Sequence, residues 1–239
     1  MSHPAVIFDL DGTLVDTAED LGIALQYTLR QAGVKPCSLE SARRWVGHGA
    51  LALLRHGFAA QGQTPTEDEL AKHCDTFLAF YSEHLSEHSR AYPHAVSTLK
   101  TLQAQGYVLG VCTNKPHDFA VRLLDALDVR KHFACVCGYA GDGVRKPDKE
   151  LLLRVLQRMD VEATRASVMV GDSLADAQAA QGCGLRFVAV SFGYGYDSLM
   201  GGGAGGAENN SDVAIDVTLD DLAALPPWLQ KDSSTPPPP

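Results

Sequence analysis

The fold of this chain is decided by Ala5-Val6-Ile7-Phe8-Asp9-Leu10-Asp11-Gly12-Thr13, a short apolar run that ends in two acidic residues. The run has the length of a strand and no polar alternation, which is typical of a strand buried on both faces of a sheet. Because side chains alternate along an extended chain, we expect Asp9 and Asp11 to lie on the same side. Gly12 permits a sharp turn directly after them.

This pair of aspartates is a candidate metal site. Two carboxylates this close repel each other unless one is protonated or a cation lies between them. A hard divalent cation such as Mg²⁺ satisfies the pair, since it prefers oxygen ligands and usually keeps several waters. The alternative is a turn in which the aspartates only cap the next helix.

Further apolar runs of strand length follow along the chain, and helical patterns fill most intervals between them. The runs are Tyr107–Cys112, Phe133–Cys137, Val168–Val170, Phe187–Val190 and a weaker one at Val213–Val217. The helical patterns cover residues 95–105, 117–127, 148–159 and 173–181. This alternation predicts an α/β fold, a three-layer, Rossmann-like parallel sheet with helices on both faces. Ligands of such sheets bind beyond the carboxyl ends of the strands.

Residues 15–89 interrupt the alternation, because only helical patterns occur there. Thr64-Pro65-Thr66-Glu67 predicts the start of one of these helices, with Thr64 as the N-cap residue and Glu67 completing a capping box. We therefore predict a helical cap domain at residues 15–89, inserted into a core domain of residues 1–14 and 90–230. Residues 231–239 are predicted to be a disordered, Pro-rich tail.

Polar residues also follow the later strands of the predicted sheet. Thr113 and Asn114 follow the second run, Lys146 precedes a helix, and Asp172 follows the fourth run with Asp176 one helical turn further. Each has a structural alternative, such as a helix cap or a surface lysine. Together, a hydroxyl, a lysine and two pairs of acids at successive strand ends favour a single site.

These motifs resemble those of the haloacid dehalogenase (HAD) superfamily of phosphotransferases. The similar stretches, in the family order, are Asp9-Leu10-Asp11-Gly12-Thr13, Thr113-Asn114, Lys146-Pro147 and Gly171-Asp172-Ser173 with Asp176. The resemblance covers residues 4–225, and it implies a HAD-like core with an inserted cap.

The resemblance also implies the roles of the acidic residues. Asp9 would be the nucleophile that forms an aspartyl-phosphate, and Asp11 would be the general acid and then the base that activates water. Mg²⁺ would be held by Asp9, the backbone carbonyl of Asp11, and Asp172. Asp176 would lie behind these ligands, either reaching the metal through water or pairing with Lys146.

The phosphoryl oxygens of the substrate would be bound by three residues from the middle of the chain. By the same resemblance these are Thr113, Asn114 and Lys146, which together with the metal would neutralise the charge of the transferring group.

Within the superfamily, the chain resembles bacterial phosphoglycolate phosphatases. The similar stretches are Trp45-Val46-Gly47-His48-Gly49 in the cap and Phe192-Gly193-Tyr194-Gly195-Tyr196 after the fifth core strand. Arg43, Arg44 and His48 are then candidates for binding the carboxylate of a small dianionic substrate. The two arginines could equally belong to a solvated helix face.

The resemblance leads us to expect an Mg²⁺-dependent phosphomonoester hydrolase that converts 2-phosphoglycolate into glycolate and phosphate. One alternative is a HAD phosphatase for another small phosphate, such as a sugar phosphate, a nucleotide, pyrophosphate or N-acetylmuramate 6-phosphate. Others are a sugar phosphomutase and a non-catalytic binding protein. The expected partner is a small phosphate ester, and the chain is expected to be a monomer or a homodimer.

Composition restricts the partners and the compartment. The net charge of -9, from 20 Lys+Arg against 29 Asp+Glu, argues against binding nucleic acid or an anionic membrane by bulk attraction. No apolar stretch approaches the roughly 18 residues that cross a bilayer. The six cysteines are scattered through apolar segments, as expected of reduced thiols. We expect a cytoplasmic protein without a signal peptide.

Overall fold

The computed structural model describes residues 4–47, 49–201 and 213–233. Its strands are β1 (Ala5–Phe8), β2 (Val15–Asp16), β3 (Arg90–Ala91), β4 (Val108–Pro116), β5 (Cys135–Tyr139), β6 (Val168–Gly171), β7 (Arg186–Val190) and β8 (Val217–Leu219). Its α-helices are α1 (Ala18–Gln31), α2 (Leu39–Arg43), α3 (Ala50–Ala59), α4 (Glu67–Glu83), α5 (Ala95–Ala104), α6 (His117–Ala126), α7 (Lys149–Arg158), α8 (Leu174–Gly182), α9 (Tyr196–Leu199) and α10 (Leu225–Ser233).

Six strands form one parallel sheet in the order β5-β4-β1-β6-β7-β8. Strand β1 lies in the middle, where Ile7 is in register with Gly110 of β4 and with Met169 of β6. All four residues of β1 are buried, because helices cover both faces of the sheet. The predicted α/β parallel sheet is therefore confirmed.

Alternation along β1 explains the three layers. Val6 and Phe8 belong to the apolar cluster on one face, which α5, α6 and α10 cover. Ala5 and Ile7 belong to the cluster on the other face, which α7 and α8 cover. The strand has no polar side chain because neither of its faces reaches water.

The four helices α1–α4 lie between β2 and β3, which pair antiparallel with Val15 opposite Ala91. Helices α1 and α3 approach closely at Gly57, where an added Cβ would lie 2.7 Å from the side chain of Leu25. We interpret this helical group as the predicted cap, with the β2–β3 ribbon as its connection to the sheet. No helix of the three described ranges is long and apolar enough to cross a membrane.

Three boundaries differ from the sequence prediction. Helix α4 is capped by Thr66 with Glu69, and the predicted cap Thr64 lies outside the helix. The last strand occupies Val217–Leu219 instead of Val213–Val217. Helix α10 continues to Ser233, three residues into the predicted tail, and residues 234–239 lie outside the described part of the chain.

Candidate active site

The carboxyl ends of three neighbouring strands bring the candidate residues together. Asp9 directly follows β1, Thr113 lies in β4, and Asp172 directly follows β6. Because β4 and β6 flank β1 in parallel, these residues reach the same edge of the sheet. Asp9, Thr113 and Asp172 are all buried at this edge.

Lys146 crosses from the loop before α7 into the middle of this group. Its Nζ donates to Asp9 Oδ1 at 2.7 Å, to Asp176 Oδ1 at 2.6 Å and to the Cys112 carbonyl at 2.8 Å. Its side chain is only 2% exposed. Burial alone lowers the pKa of Lys146, but the charges of Asp176 and Asp9 outweigh burial and raise it well above its usual value. The ammonium group is thus a fixed positive charge beside Asp9.

Asp9, Asp172 and Asp176 form a compact group that fits a divalent cation. One carboxylate oxygen from each lies within 4.8 Å of the others, and all three residues are buried. Burial raises the pKa of Asp9 to about 7, with Lys146 offsetting part of the effect. Burial, with the charge of Asp176 next, raises the pKa of Asp172 to about 8. Lys146 alone therefore does not neutralise the group, and a bound cation would.

Asp176 differs from Asp9 and Asp172 in its hydrogen bonds. Its Oδ2 accepts from Ser173 N at 3.0 Å and from Ser173 Oγ at 2.6 Å, and its Oδ1 accepts from Lys146. These bonds form the capping box at the start of α8. Of the two roles predicted for Asp176, the structure shows the pairing with Lys146.

Two glycines allow loops to close around Asp172. A Cβ at Gly12, where φ is +88°, would lie 2.5 Å from Asp172 Oδ2, and one at Gly193 would lie 2.2 Å from Asp172 Cβ. The Gly195 N–H donates to Asp172 Oδ2 at 2.9 Å. The loops after β1 and β7 thus hold this carboxylate in place. A larger residue at Gly12 or Gly193 would force the carboxylate or the loop to move.

Asp11 has partners that sequence reasoning missed. Thr17 Oγ1 donates to Asp11 Oδ1 at 2.7 Å, and Lys115 Nζ lies 3.1 Å from the same oxygen. Lys115 also donates to the hydroxyl of Tyr81, in cap helix α4, at 2.6 Å. A signal for Lys115 was present: it lies two residues after Thr113 in β4, and alternation puts both on one side of the strand.

Asn114 acts on the site through Lys146. Its Nδ2 donates to the Lys146 carbonyl at 2.9 Å, and its Oδ1 accepts from the Lys146 N–H at 2.8 Å. Both ends of the Asn114 amide are therefore engaged in holding the backbone of this lysine. Thr113 Oγ1 accepts from the Lys115 N–H at 3.2 Å and lies at the wall of the cavity described next.

A cavity of about 260 Å³ lies between the strand ends and the cap. Charged and polar residues of the core form one wall; they include Asp9, Asp11, Thr113, Asn114, Lys115, Arg145 and Lys146. Apolar residues of the cap form much of the other wall; they include Leu21, Val46, Leu51, Phe77 and Leu78. The predicted cap loop therefore reaches the site through Val46, Gly47 and Gly49.

Of the three residues predicted to bind the substrate carboxylate, two lie away from the cavity and one lies outside the described residues. Arg43 forms an ion pair with Asp16 at 2.9 Å, and its guanidinium lies 5.0 Å from the centre of the Tyr194 ring. Arg44 reaches Ser41 Oγ at 3.5 Å. Neither arginine lines the cavity. His48 lies outside the described residues, between Gly47 and Gly49.

The fold and the arrangement of the strand ends agree with the comparison to known families. The model of the haloacid dehalogenase-like hydrolases matches residues 6–190, and the chain belongs to this family. Phosphoglycolate phosphatases of Agrobacterium fabrum and Mesorhizobium japonicum are similar to it. The first is 34% identical over 95% of this chain and 92% of its own length; the second is 36% identical over 81% and 85%.

A solved structure gives the same result. The crystal structure of a predicted phosphoglycolate phosphatase from Haemophilus somnus superposes with a TM-score of 0.80 at 28% identity, covering 95% of this chain and 98% of that one. The expected family, the fold class and the expectation of a phosphatase-type enzyme are confirmed by these matches.

Proposed function

We propose that this chain hydrolyses small phosphomonoesters with Mg²⁺ through an aspartyl-phosphate on Asp9, and that its substrate is 2-phosphoglycolate. The observation that carries the proposal is the environment of Asp9. A buried carboxylate at the base of the cavity has one oxygen held by Lys146 and a second acid, Asp172, close enough to share a cation.

The metal ligands we propose are Asp9, Asp172 and the backbone carbonyl of Asp11. When bound, Mg²⁺ supplies positive charge to the phosphoryl oxygens and to the carboxylates of Asp9 and Asp172. The donor set is all oxygen, as a hard cation requires. Asp176, whose carboxylate already accepts from Lys146 and Ser173, keeps both in position.

The residues of this chain divide the reaction into two steps. In the first, a carboxylate oxygen of Asp9 attacks phosphorus, the bond to the leaving oxygen breaks, and Asp11 donates a proton to that oxygen. In the second, Asp11 takes a proton from water, which attacks the phosphorus and releases Asp9. Thr17 and Lys115 hold Asp11 in position through their contacts at 2.7 and 3.1 Å.

The substrate proposal is supported by the relatives and by the size of the cavity. Both curated relatives named above are phosphoglycolate phosphatases. A cavity of about 260 Å³ suits a small ester, and the apolar wall of the cap excludes water from the phosphoryl group.

The proposal is tested by measuring phosphate release from a panel of esters, with Mg²⁺ and with a chelator, for the wild type and Asp9→Asn. We expect activity only with Mg²⁺, the highest kcat/KM for 2-phosphoglycolate, and none with Asp9→Asn. Turnover that persists in Asp9→Asn contradicts the nucleophile. If sugar phosphates react as well as 2-phosphoglycolate, the substrate is wrong while the reaction class stands.

A further inference from the structure

The cavity contains three basic side chains among its described lining residues, and two of them are already neutralised. They are Lys115, Arg145 and Lys146. Lys146 lies between Asp9 and Asp176, and Lys115 lies beside Asp11. Their charges are committed to carboxylates of the site itself. The third cation, Arg145, has no acidic partner among the described residues.

Arg145 is an exposed residue that lines the cavity. It directly precedes Lys146, whose backbone is held by both ends of the Asn114 amide. Its guanidinium lies 4.9 Å from the centre of the Tyr139 ring, and Tyr139 also lines the cavity. Stacking on an aromatic face limits the orientations of a guanidinium and leaves its N–H donors free at the edge. No carboxylate of the described residues forms an ion pair with it.

The opposite wall offers no rival among the residues that the structure describes. Its described cap residues at the cavity carry no positive charge, and Arg43 is paired with Asp16 outside the cavity. Among the described lining residues, a substrate with a second anionic group therefore meets one cation that has no acidic partner. This cation is one residue away from the lysine that contacts the nucleophile.

We propose that Arg145 binds the second anionic group of the substrate and sets the preference for small dianionic esters. This rests on the proposed function, in which that group is the carboxylate of 2-phosphoglycolate. A guanidinium can donate two parallel hydrogen bonds to a carboxylate, which gives orientation as well as attraction. Tyr139 is a positioning residue that holds the guanidinium at the wall of the cavity.

The test compares 2-phosphoglycolate with its amide, which has the same shape without the carboxylate charge. For Arg145→Ala we expect kcat/KM for the acid to fall about 10- to 100-fold, mainly through KM, and kcat/KM for the amide to change little. Arg145→Lys should recover part of the loss, because it restores the positive charge without the paired N–H donors of a guanidinium. The control is Arg55→Ala, which removes an exposed cap arginine paired with Glu67; it should leave both esters unaffected.

A binding measurement without turnover separates this proposal from the proposed function. Calorimetric titration of the acid and the amide into Asp9→Asn, with and without Arg145→Ala, should show the same 10- to 100-fold loss for the acid alone. If this loss occurs and the wild type releases no phosphate from the acid, the anion-binding role of Arg145 is supported and 2-phosphoglycolate is not the substrate. Equal losses for acid and amide, or no preference for the acid in Asp9→Asn, overturn the role of Arg145.

Discussion

At the scale of single residues, the charge balance of the site depends on Lys146. Its ammonium group donates both to Asp9, the proposed nucleophile, and to Asp176, the acid of the capping box of α8. Because it is buried with them, its charge is poorly screened and its removal leaves two carboxylates without a counter-charge. We therefore expect Lys146 to affect both catalysis and stability.

Lys146→Met should reduce kcat at least about 100-fold, since the charge beside Asp9 is lost. In chelator, the free energy of unfolding should fall by about 3 kcal/mol, because the buried carboxylates lose their partner. Urea unfolding and phosphate release measure the two effects. Lys149→Ala, which removes an exposed lysine of the same segment, is the control and should change neither. Normal kcat in Lys146→Met would contradict the assignment.

The packing of Gly193 on Asp172 gives a second prediction at this scale. Gly193→Ala places a methyl group 2.2 Å from Asp172 Cβ, so the carboxylate or the loop must move. We expect weaker Mg²⁺ binding, seen as a higher Mg²⁺ concentration for half-maximal rate. Gly182→Ala, whose new methyl group would lie 3.1 Å from Lys149 Cβ and away from the site, should leave that concentration unchanged. An unaltered Mg²⁺ requirement in Gly193→Ala argues against Asp172 as a ligand.

At the scale of elements, the start of α4 shows how two overlapping signals are resolved. Thr64 and Thr66 are each followed three residues later by a glutamate, so the sequence contains two possible capping boxes. In the structure Glu67 instead forms an ion pair with Arg55 of α3 at 2.6 Å, and Glu69 bonds back to Thr66. The capping box of Thr66 and Glu69 therefore forms together with the contact between α3 and α4. Residue spacing alone does not distinguish it from the alternative box of Thr64 and Glu67.

Thr66→Ala should lower the free energy of unfolding by about 1 kcal/mol, because it removes the side-chain acceptor of the Glu69 N–H at the start of α4. Thr64→Ala is the matched control and should change stability by less than about 0.5 kcal/mol. Chemical unfolding of the two variants measures the difference. The reverse order of effects would place the cap at Thr64.

At the scale of the whole molecule, polar contacts join the cap to the core around the cavity. Lys115 of β4 bonds to Tyr81 of α4, and Arg122 of α6 bonds to the Ser82 carbonyl. Just before α1, the Thr17 N–H donates to the hydroxyl of Tyr194, in the core loop after β7, at 2.7 Å. These contacts set how the cap lies over the strand ends, and the first of them reaches Asp11.

Tyr81→Phe tests whether this contact matters for the reaction. Without the hydroxyl, Lys115 loses one of its two partners in a buried position, so kcat/KM should fall about two- to tenfold and stability by about 1 kcal/mol. Tyr27→Phe is the control; Tyr27 also lies in the cap, stacked on Phe80, and its change should have little effect. Identical kinetics for both variants would show that the cap contact does not position Asp11.

The local sequence pattern was sufficient to predict the central strands and the polar residues that follow them. The runs before Asp9, Thr113 and Asp172 are apolar throughout because a doubly covered parallel sheet admits no polar face, and that requirement is written in consecutive residues. The parallel order then places the residues after each strand at one edge. The weak run at Val213–Val217 was misplaced because an edge strand, paired on one side only, carries less of this pattern.

The sequence by itself determined the α/β core, the inserted helical segment and the strand-end residues of the candidate site, since each of these follows from periodicity over a few residues. Only the tertiary structure decided which cation meets which carboxylate. Lys115 and Asp11 are 104 positions apart, and Arg43 is drawn to Asp16 instead of the cavity. Such pairings depend on distances in space and on competition among charges, which spacing along the chain does not encode.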